Sequence, residues 1–164
     1  MRAVSTISTP IGPLTLEATD SGLRSVTFGG GRGGRNGSPT AAHQLALAER
    51  ELQEYFAGER SSFTVPLDWP AMTGFRRAVL TELVSVPYGE VVTYGELASR
   101  AGRPGAARAV GSAMATNPLA VVVPCHRVIR SGGVLGNYGD DPRKKVWLLS
   151  LEGYLSGRSP SDQP

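Results

Sequence analysis

The spacing of apolar residues changes once along this chain, and this change constrains the fold more than any other feature of the sequence. Apolar and polar residues alternate through 2–8, 13–18 and 23–28, with turn-forming Pro, Gly and Asp residues between the runs. This alternation predicts a small antiparallel sheet. From residue 41 onward, apolar residues recur three or four positions apart, which predicts helices. We therefore expect an α+β fold, in which a small N-terminal antiparallel sheet with a helix precedes a mainly helical C-terminal domain.

Two prolines separate the first predicted helix from those that follow. The helix predicted over 41–59 ends at a glycine, and the extended segment after it contains Pro66 and Pro70. We place a domain boundary in this segment. The expected organisation is an N-terminal α/β subdomain over 1–66, a C-terminal domain over 67–155 and a disordered polar tail over 156–164.

The C-terminal part contains the outline of a helix-turn-helix. Thr93 and Glu96 form a capping-box pattern at the start of one short helix, and the segment 102–105, with two glycines and a proline, ends that helix. A second short helix over 105–117 follows. Two short helices joined by a tight glycine-containing turn are typical of DNA-binding proteins.

The second of these helices has almost no side-chain bulk. Arg108 is its only charged residue. Its small residues are Gly105, Ala106, Ala107, Ala109, Gly111, Ser112, Ala113 and Ala115. A helix of this kind packs closely against another helix or enters a narrow nucleic-acid groove, and the pattern is compatible with both.

Charge and hydropathy restrict the class of protein. Residues 94–145 carry eight basic and three acidic side chains, whereas the rest of the chain carries nine and eleven. A basic segment in a mildly acidic protein indicates a polyanionic partner, or else a solvated arginine-rich face. The chain has no apolar run of about 18 residues and no apolar signal-peptide core at its start, so we expect a soluble cytoplasmic protein without a membrane span.

The chain has one cysteine, Cys125, in the segment VVVPCHRVI. The three valines predict a buried strand that ends in a sharp turn at Pro124. A single cysteine forms no internal disulfide and excludes zinc sites with two or more thiolates, and we expect neither metal nor cofactor. From the residues alone, Cys125 is either an inert core residue or a nucleophile served by His126, with Glu152 orienting the imidazole. Neighbours on a strand point to opposite faces, so adjacency alone does not form the pair.

The segment VVVPCHRVIRSGGVLGNYG resembles the active-site signature of the O6-alkylguanine-DNA alkyltransferases, also called methylated-DNA–protein-cysteine methyltransferases. The hallmark of that family is Pro-Cys-His-Arg followed by a valine. Four further segments are similar to the family's blocks, in order: STPIGPLTLEA, FRRAVLTELVSVPYGEVVTYGELA, GAARAVGSAMATNP and WLLSLEG. The resemblance covers roughly residues 5–153.

This resemblance implies a ribonuclease H-like N-terminal subdomain followed by a helix-turn-helix alkyltransferase domain. It implies repair of DNA by irreversible, stoichiometric transfer of an alkyl group from O6-alkylguanine to the protein's own cysteine, with O4-alkylthymine as a further candidate substrate. The expected partner is double-stranded DNA that carries O6-alkylguanine. We expect a monomer and leave open cooperative assembly along DNA.

The resemblance also assigns the catalytic residues. Cys125 is expected to attack the alkyl carbon, while His126, held by Glu152, draws the thiol proton through a water. Asn117 is expected to brace the active-site loop. Tyr94 is expected to donate a hydrogen bond to guanine N3 and offset the charge that builds on the base.

The binding residues follow from the same resemblance. The substrate pocket is expected to contain Val128, Tyr138, Gly139 and Met114. Arg108 is expected to fill the gap left by a flipped-out base, while the slim helix lies in the minor groove. The residues expected to contact DNA are Arg108, Arg103, Ala107, Gly111, Thr93, Arg127 and Lys145.

Four positions depart from the family pattern. Asp140 and Asp141 stand where members carry small residues, and two carboxylates near the thiol would raise its pKa and repel phosphate. Ala115 replaces a basic residue of some members and Ala120 replaces a proline. Either change would weaken DNA affinity or loosen the pocket.

The sequence raises two alternative functions. A DNA-binding sensor of the alkyltransferase-like kind lacks the cysteine, so Cys125 favours the enzyme. A cysteine hydrolase has no support, because nothing marks an oxyanion hole and the helix-turn-helix would have no purpose.

Overall fold

The computed structural model describes residues 2–31, 34–35, 37–139 and 141–155. Asp140 and the predicted disordered tail lie outside the described residues. The chain forms two compact units. The first contains the residues up to Ala71 together with Pro118–Val122, and the second contains Met72–Asn117 and the residues from Val123 onward. The predicted domain boundaries stay a prediction.

The first unit contains the antiparallel sheet that the alternating pattern predicts. Its core face carries leucines at every second position, and Leu14 and Leu16 are fully buried. The strands occur in the spatial order β3-β2-β1-β4, and every pairing is antiparallel. Their bounds are β1 Ala3–Thr9, β2 Gly12–Thr19, β3 Gly22–Phe28 and β4 Gly34–Arg35. The short β4 has no counterpart in the sequence pattern.

Helix α1, Pro39–Phe56, packs on this sheet. It begins before the predicted start because the Ser38 side chain accepts a hydrogen bond from the Ala41 amide and Pro39 suits the first turn. These signals lie outside the apolar repeat.

Helix α1 also carries a buried carboxylate, Glu51, that holds the chain segment after the helix. The carboxylate accepts hydrogen bonds from the Thr64 hydroxyl at 2.6 Å and the Val65 amide at 2.9 Å. Arg60 pairs with it at 3.0 Å. Burial raises the pKa of Glu51, but the hydrogen bonds from Thr64 and Val65 outweigh it, so the pKa lies below its usual value. No local sequence pattern indicates this cluster.

The second unit is mainly helical. The predicted capping box is confirmed, because Thr93 accepts from the Glu96 amide and the Glu96 carboxylate accepts from the Thr93 amide. The elements are α2 Gly74–Val84, β5 Val92–Thr93, α3 Tyr94–Arg100, α4 Ala107–Ala115, β6 Val128–Ile129 and α5 Pro142–Leu151. Strands β5 and β6 form a parallel pair that no sequence pattern indicated.

The expected α+β class with a helix-turn-helix is confirmed. Helices α3 and α4 pack together across a glycine-containing turn. Among the described residues, no helix is both long and apolar enough to cross a membrane.

The prediction of a buried strand before the cysteine is wrong. The three valines are buried, but Val121 has a φ of 69°, which β-branched residues rarely adopt. The Val122 amide donates to the Ala120 carbonyl at 2.8 Å, and this short bond closes a tight turn. A short apolar run indicates burial and not extension, which is why the pattern misled.

Candidate active site

The cysteine lies in a 3-10 helix, Cys125–Arg127, at a sharp turn of the backbone. Pro124 precedes it with φ −81° and ψ 65°, and the Cys125 amide donates to the Val123 carbonyl at 2.8 Å. Successive residues of a 3-10 helix lie about 120° apart. Cys125 and His126 therefore do not point to opposite faces, as neighbours on a strand would. Both Cys125 and His126 are buried, with exposed fractions of 9% and 0%.

Three side chains act on the thiol of Cys125. Asn117 and Tyr138 are polar neighbours of the sulfur, and Lys145 lies near enough to act by charge. Burial is the largest effect and raises the pKa of Cys125, while these three neighbours lower it without cancelling the rise. The resting form is therefore the thiol. Asn117 also donates from Nδ2 to the Val123 carbonyl at 2.9 Å, which ties the loop to the end of α4.

The imidazole of His126 contacts Glu152, as the sequence analysis expected. The distance from Nε2 to Oε2 is 2.7 Å, and both side chains are fully buried. Burial lowers the pKa of His126 and outweighs the opposing effect of Glu152, so the ring is neutral. A neutral ring that donates from Nε2 leaves Nδ1 as an acceptor. Nδ1 is buried, and no described residue hydrogen-bonds to it.

Arg127 lies elsewhere than its predicted place at the DNA surface. Its exposed fraction is 6%, and it donates from Nε to Glu152 Oε1 at 2.8 Å and from Nη2 to Oε2 at 2.9 Å. The remaining nitrogen, Nη1, donates to the Val86 carbonyl at 2.7 Å. We correct its assignment, because a buried guanidinium with these bonds does not reach phosphate. Burial raises the pKa of Glu152, but the hydrogen bonds from His126 and Arg127 lower it to about 2.

Lys145 also lies away from its predicted place. Only 1% of it is exposed, and its Nζ donates to the Val128 carbonyl. Burial lowers the pKa of Lys145 to about 8. Lys145, Leu148 and Leu149 occupy the buried face of α5 at helical spacing, and this periodicity could have revealed the burial. We therefore remove Lys145 from the expected phosphate contacts.

A glycine-containing loop lies close to the hydroxyl of Tyr94. Gly136 has a φ of 80°, and a Cβ built there would lie 3.7 Å from the Tyr94 hydroxyl and 3.5 Å from Arg130 Cγ. Burial raises the pKa of Tyr94, partly offset by the charge of Arg130. In the same loop, the Tyr138 ring is buried and meets the His126 ring edge-on at 6.4 Å.

The predicted pocket residues are only partly brought together. Tyr138 and Val128 are buried beside the cysteine segment. Gly139 is exposed with a φ of 56°, and Met114 is half-buried on α4. Their assignment to the substrate pocket stays a prediction.

The small residues of α4 lie on a buried face and an exposed face. This division helps to choose between close helix packing and entry into a nucleic-acid groove. Val110 and Ala113 are buried. Exposed positions are Ala107, Arg108, Ser112 and Ala115. A Cβ built on Gly111 would meet nothing within 4 Å, so glycine is not needed there for packing. The slimness of the exposed face therefore favours the groove over helix packing.

The remaining predicted DNA contacts differ in their surroundings. Arg103 is exposed, and its guanidinium lies over the Phe75 ring at 5.1 Å from the centroid. Thr93 is half-buried, and its hydroxyl oxygen is already engaged in the capping box. Arg108 is exposed on α4 and Ala107 lies beside it.

Asp141 does not act on the thiol as the sequence analysis expected. Its carboxylate caps α5 by accepting from the Arg143 amide at 3.0 Å, and it pairs with the Arg143 side chain at 3.1 Å. It is not among the groups that shift the pKa of Cys125. Within the described residues, no group of three or more His, Cys, Asp or Glu side chains is placed to hold a metal ion.

Comparisons with known proteins cover nearly the whole chain. Residues 3–69 match the family model described as the ribonuclease-like domain of 6-O-methylguanine DNA methyltransferase, and residues 74–154 match that of its DNA binding domain. A methylated-DNA–protein-cysteine methyltransferase of Mycobacterium tuberculosis is 43% identical over 162 residues, covering 96% of this chain and 94% of the relative. One of Methanosarcina acetivorans is 43% identical, covering 88% and 94%.

Solved structures give the same result. The crystal structure of Mycobacterium tuberculosis OGT in complex with DNA is similar with a TM-score of 0.80 and 42% identity, covering 91% of this chain and 92% of that one. A crystal structure of the O6-methylguanine methyltransferase of the same organism covers 98% of each chain, with a TM-score of 0.81 and 40% identity.

Proposed function

This chain belongs to the 6-O-methylguanine DNA methyltransferase family, and we propose that Cys125 is the residue to which it transfers the alkyl group of O6-alkylguanine in DNA. The activity is methyl transfer from methylated DNA to a protein cysteine, a direct repair of alkylation damage. The observation that carries the assignment to Cys125 is that this single cysteine shares a 3-10 helix with His126, whose buried imidazole pairs with Glu152.

The transfer is an in-line displacement. The Cys125 sulfur forms a bond to the alkyl carbon as the bond from that carbon to guanine O6 breaks. The thiol proton passes to Nδ1 of His126 through a water, and the Tyr94 hydroxyl donates to guanine N3 as negative charge builds on the base. The product is a thioether, and no step of this reaction removes the group. Each protein molecule therefore acts once.

The ionisation states support this sequence of events. Because burial keeps Cys125 as a thiol at rest, a base is needed to form the thiolate. The neutral ring of His126 has an acceptor at Nδ1, and Glu152 accepts from the opposite nitrogen. Asn117, Lys145 and Tyr138 lie close to the sulfur, and each favours the anion as it forms.

The exposed face of α4 is the proposed contact with DNA. A minor groove about 6 Å wide admits a helix only where side chains are small, which fits Ala107, Gly111, Ser112 and Ala115. We propose that Arg108 occupies the space of the flipped-out base, whose extrusion costs a few kcal/mol. Arg103 is the proposed phosphate contact. The monomeric state and O4-alkylthymine as a substrate stay predictions.

The test is the intact mass of the protein after incubation with a duplex that contains one O6-methylguanine. We expect the addition of a single methyl group, located on Cys125 by peptide mapping. Cys125→Ser is the matched control and should remain unmodified. An unchanged mass after long incubation with excess lesion would sink the assignment and favour a lesion sensor.

A further inference from the structure

Arg127 stands at the centre of a buried cluster that also contains Glu152 and the loop 86–89. Its guanidinium meets both carboxylate oxygens of Glu152, at 2.8 and 2.9 Å, in the planar two-bond arrangement that arginine alone provides. Nη1 donates to the Val86 carbonyl at 2.7 Å, and the Tyr88 ring lies 5.8 Å from the guanidinium carbon. Arg127 therefore holds both oxygens of the carboxylate, including Oε2, to which His126 donates.

The loop 86–89 also holds the backbone at the end of α5. The Tyr88 hydroxyl donates to the Leu151 carbonyl at 3.2 Å, and a Cβ built on Gly89 would lie 3.2 Å from the Glu152 carbonyl oxygen. Both ends of the Glu152 residue are thus fixed, its carboxylate by Arg127 and its backbone by this loop. With Oε2 in place, Nε2 of His126 has one direction in which to donate, at 2.7 Å.

Arg127 also affects the charge of the His126 imidazole. A buried carboxylate that faced His126 alone would favour the charged imidazolium, which has no free acceptor nitrogen. Arg127 balances that carboxylate. The other groups that act on the ring are Lys145, whose charge also opposes imidazolium, and Tyr138, whose ring meets it edge-on.

We propose that Arg127 is a positioning residue for the transfer reaction: by pinning and neutralising Glu152, it keeps His126 as a neutral base with Nδ1 free to accept the Cys125 proton. The proposal rests on the function proposed above. It replaces the DNA-contact role that the basic character of the signature segment suggests.

The test compares Arg127→Met and Arg127→Lys with the unmodified protein in single-turnover reaction with the free base O6-benzylguanine, which bypasses DNA binding. In Arg127→Met, the negative charge of Glu152 acts on the imidazole without the opposing charge of Arg127. We expect the midpoint of the acid limb of the rate–pH profile to rise by about one pH unit. Arg127→Lys should keep the midpoint, because it keeps the charge, but lose part of the rate, because an ammonium does not bind both oxygens in one plane. Arg77→Met, at an exposed position of α2, is the matched control and should match the unmodified protein.

A purely structural role predicts something different. If Arg127→Met lowered the rate by the same factor at every pH and left the midpoint unchanged, the proposal would be overturned. In the double variant Arg127→Met with Glu152→Gln, the shift should disappear, because Arg127 acts through the carboxylate.

A direct measurement covers the case in which Arg127→Met does not fold. The nitrogen chemical shifts of His126 in the unmodified protein should show a neutral ring protonated at Nε2 at neutral pH, and an imidazolium there would overturn the proposal. Absence of any transfer to Cys125 in the unmodified protein would instead refute the proposed function, and these shifts would still report on Arg127.

Discussion

At the scale of single residues, Glu152 links the chemistry of the site to the stability of the fold. Its carboxylate accepts from His126 and twice from Arg127, all in a buried setting. Removing one partner of such a buried set leaves the others without compensation, which is strongly destabilising. The same carboxylate therefore serves both the base and the packing of α5.

Acid should weaken the fold through this residue. Because the pKa of Glu152 in the folded protein, about 2, lies below its usual 4.5, its stabilisation is present above about pH 4.5 and is lost as the pH falls toward about 2. We expect urea unfolding to give a free energy of unfolding that declines over this interval.

Glu152→Gln should lower the free energy of unfolding at neutral pH by about 3 kcal/mol and flatten the decline in acid. The control is Glu90→Gln, an exposed carboxylate of the same unit, which should behave like the unmodified protein. If the free energy of unfolding of Glu152→Gln fell as steeply in acid as that of the unmodified protein, other carboxylates would cause the acid dependence.

At the scale of elements, α4 keeps a glycine where packing does not require one. A glycine inside a helix costs about 1 kcal/mol relative to alanine. Since a Cβ on Gly111 would meet nothing within 4 Å, that cost has no explanation within the fold. Glycine at this position is explained if another molecule must approach the surface of α4 closely. The exposed alanines around Gly111 are in keeping with this explanation.

Larger side chains at Gly111 should affect the free energy of unfolding and the rate of DNA repair differently. We expect Gly111→Ala to raise the free energy of unfolding by roughly 0.5–1 kcal/mol, because alanine favours the helix. Gly111→Leu should lower the rate of methyl transfer from duplex DNA by at least about tenfold, because the larger side chain does not fit a groove about 6 Å wide.

The rate with free O6-benzylguanine should not change in Gly111→Leu, since the site around Cys125 is untouched. Thr81→Leu, at an exposed position of α2, adds similar bulk elsewhere and serves as the control. Equal losses on both substrates would mean that Gly111→Leu disturbs the fold and not the contact with DNA.

At the scale of the whole molecule, burial reduces the positive charge that the basic segment can offer to DNA. Arg127 and Lys145 lie inside the second unit, and Arg143 is paired with Asp141. The exposed arginines that remain without that pairing are Arg100, Arg103, Arg108 and Arg130. The electrostatic contribution to DNA affinity should therefore come from fewer contacts than the sequence suggests.

The salt dependence of DNA binding distinguishes the two proposed arginine roles. Arg103→Ala should reduce the slope of log affinity against log salt by about 0.9, because one phosphate contact is lost. Arg108→Ala should weaken repair in duplex DNA far more than reaction with the free base, because its proposed place is inside the duplex. Equal losses of Arg108→Ala on both substrates would exclude that place.

The sequence by itself determined the α+β class, the main strands and helices, and the activity. Alternation and helical spacing predicted the sheet and the helices, the Thr93–Glu96 capping box marked the start of α3, and the Pro-Cys-His-Arg signature identified the family. These features depend on neighbouring residues or on short segments, so they can be recognised without the folded chain.

The tertiary structure alone decided which charges are buried and how the cysteine is presented. Arg127 bonds to groups 25 and 41 residues away, and Lys145 bonds to a carbonyl 17 residues away. The turn at Val121 and the outward direction of the small residues on α4 likewise follow from packing. Such contacts join residues that are distant in the chain, and local sequence patterns carry no information about which distant groups will meet.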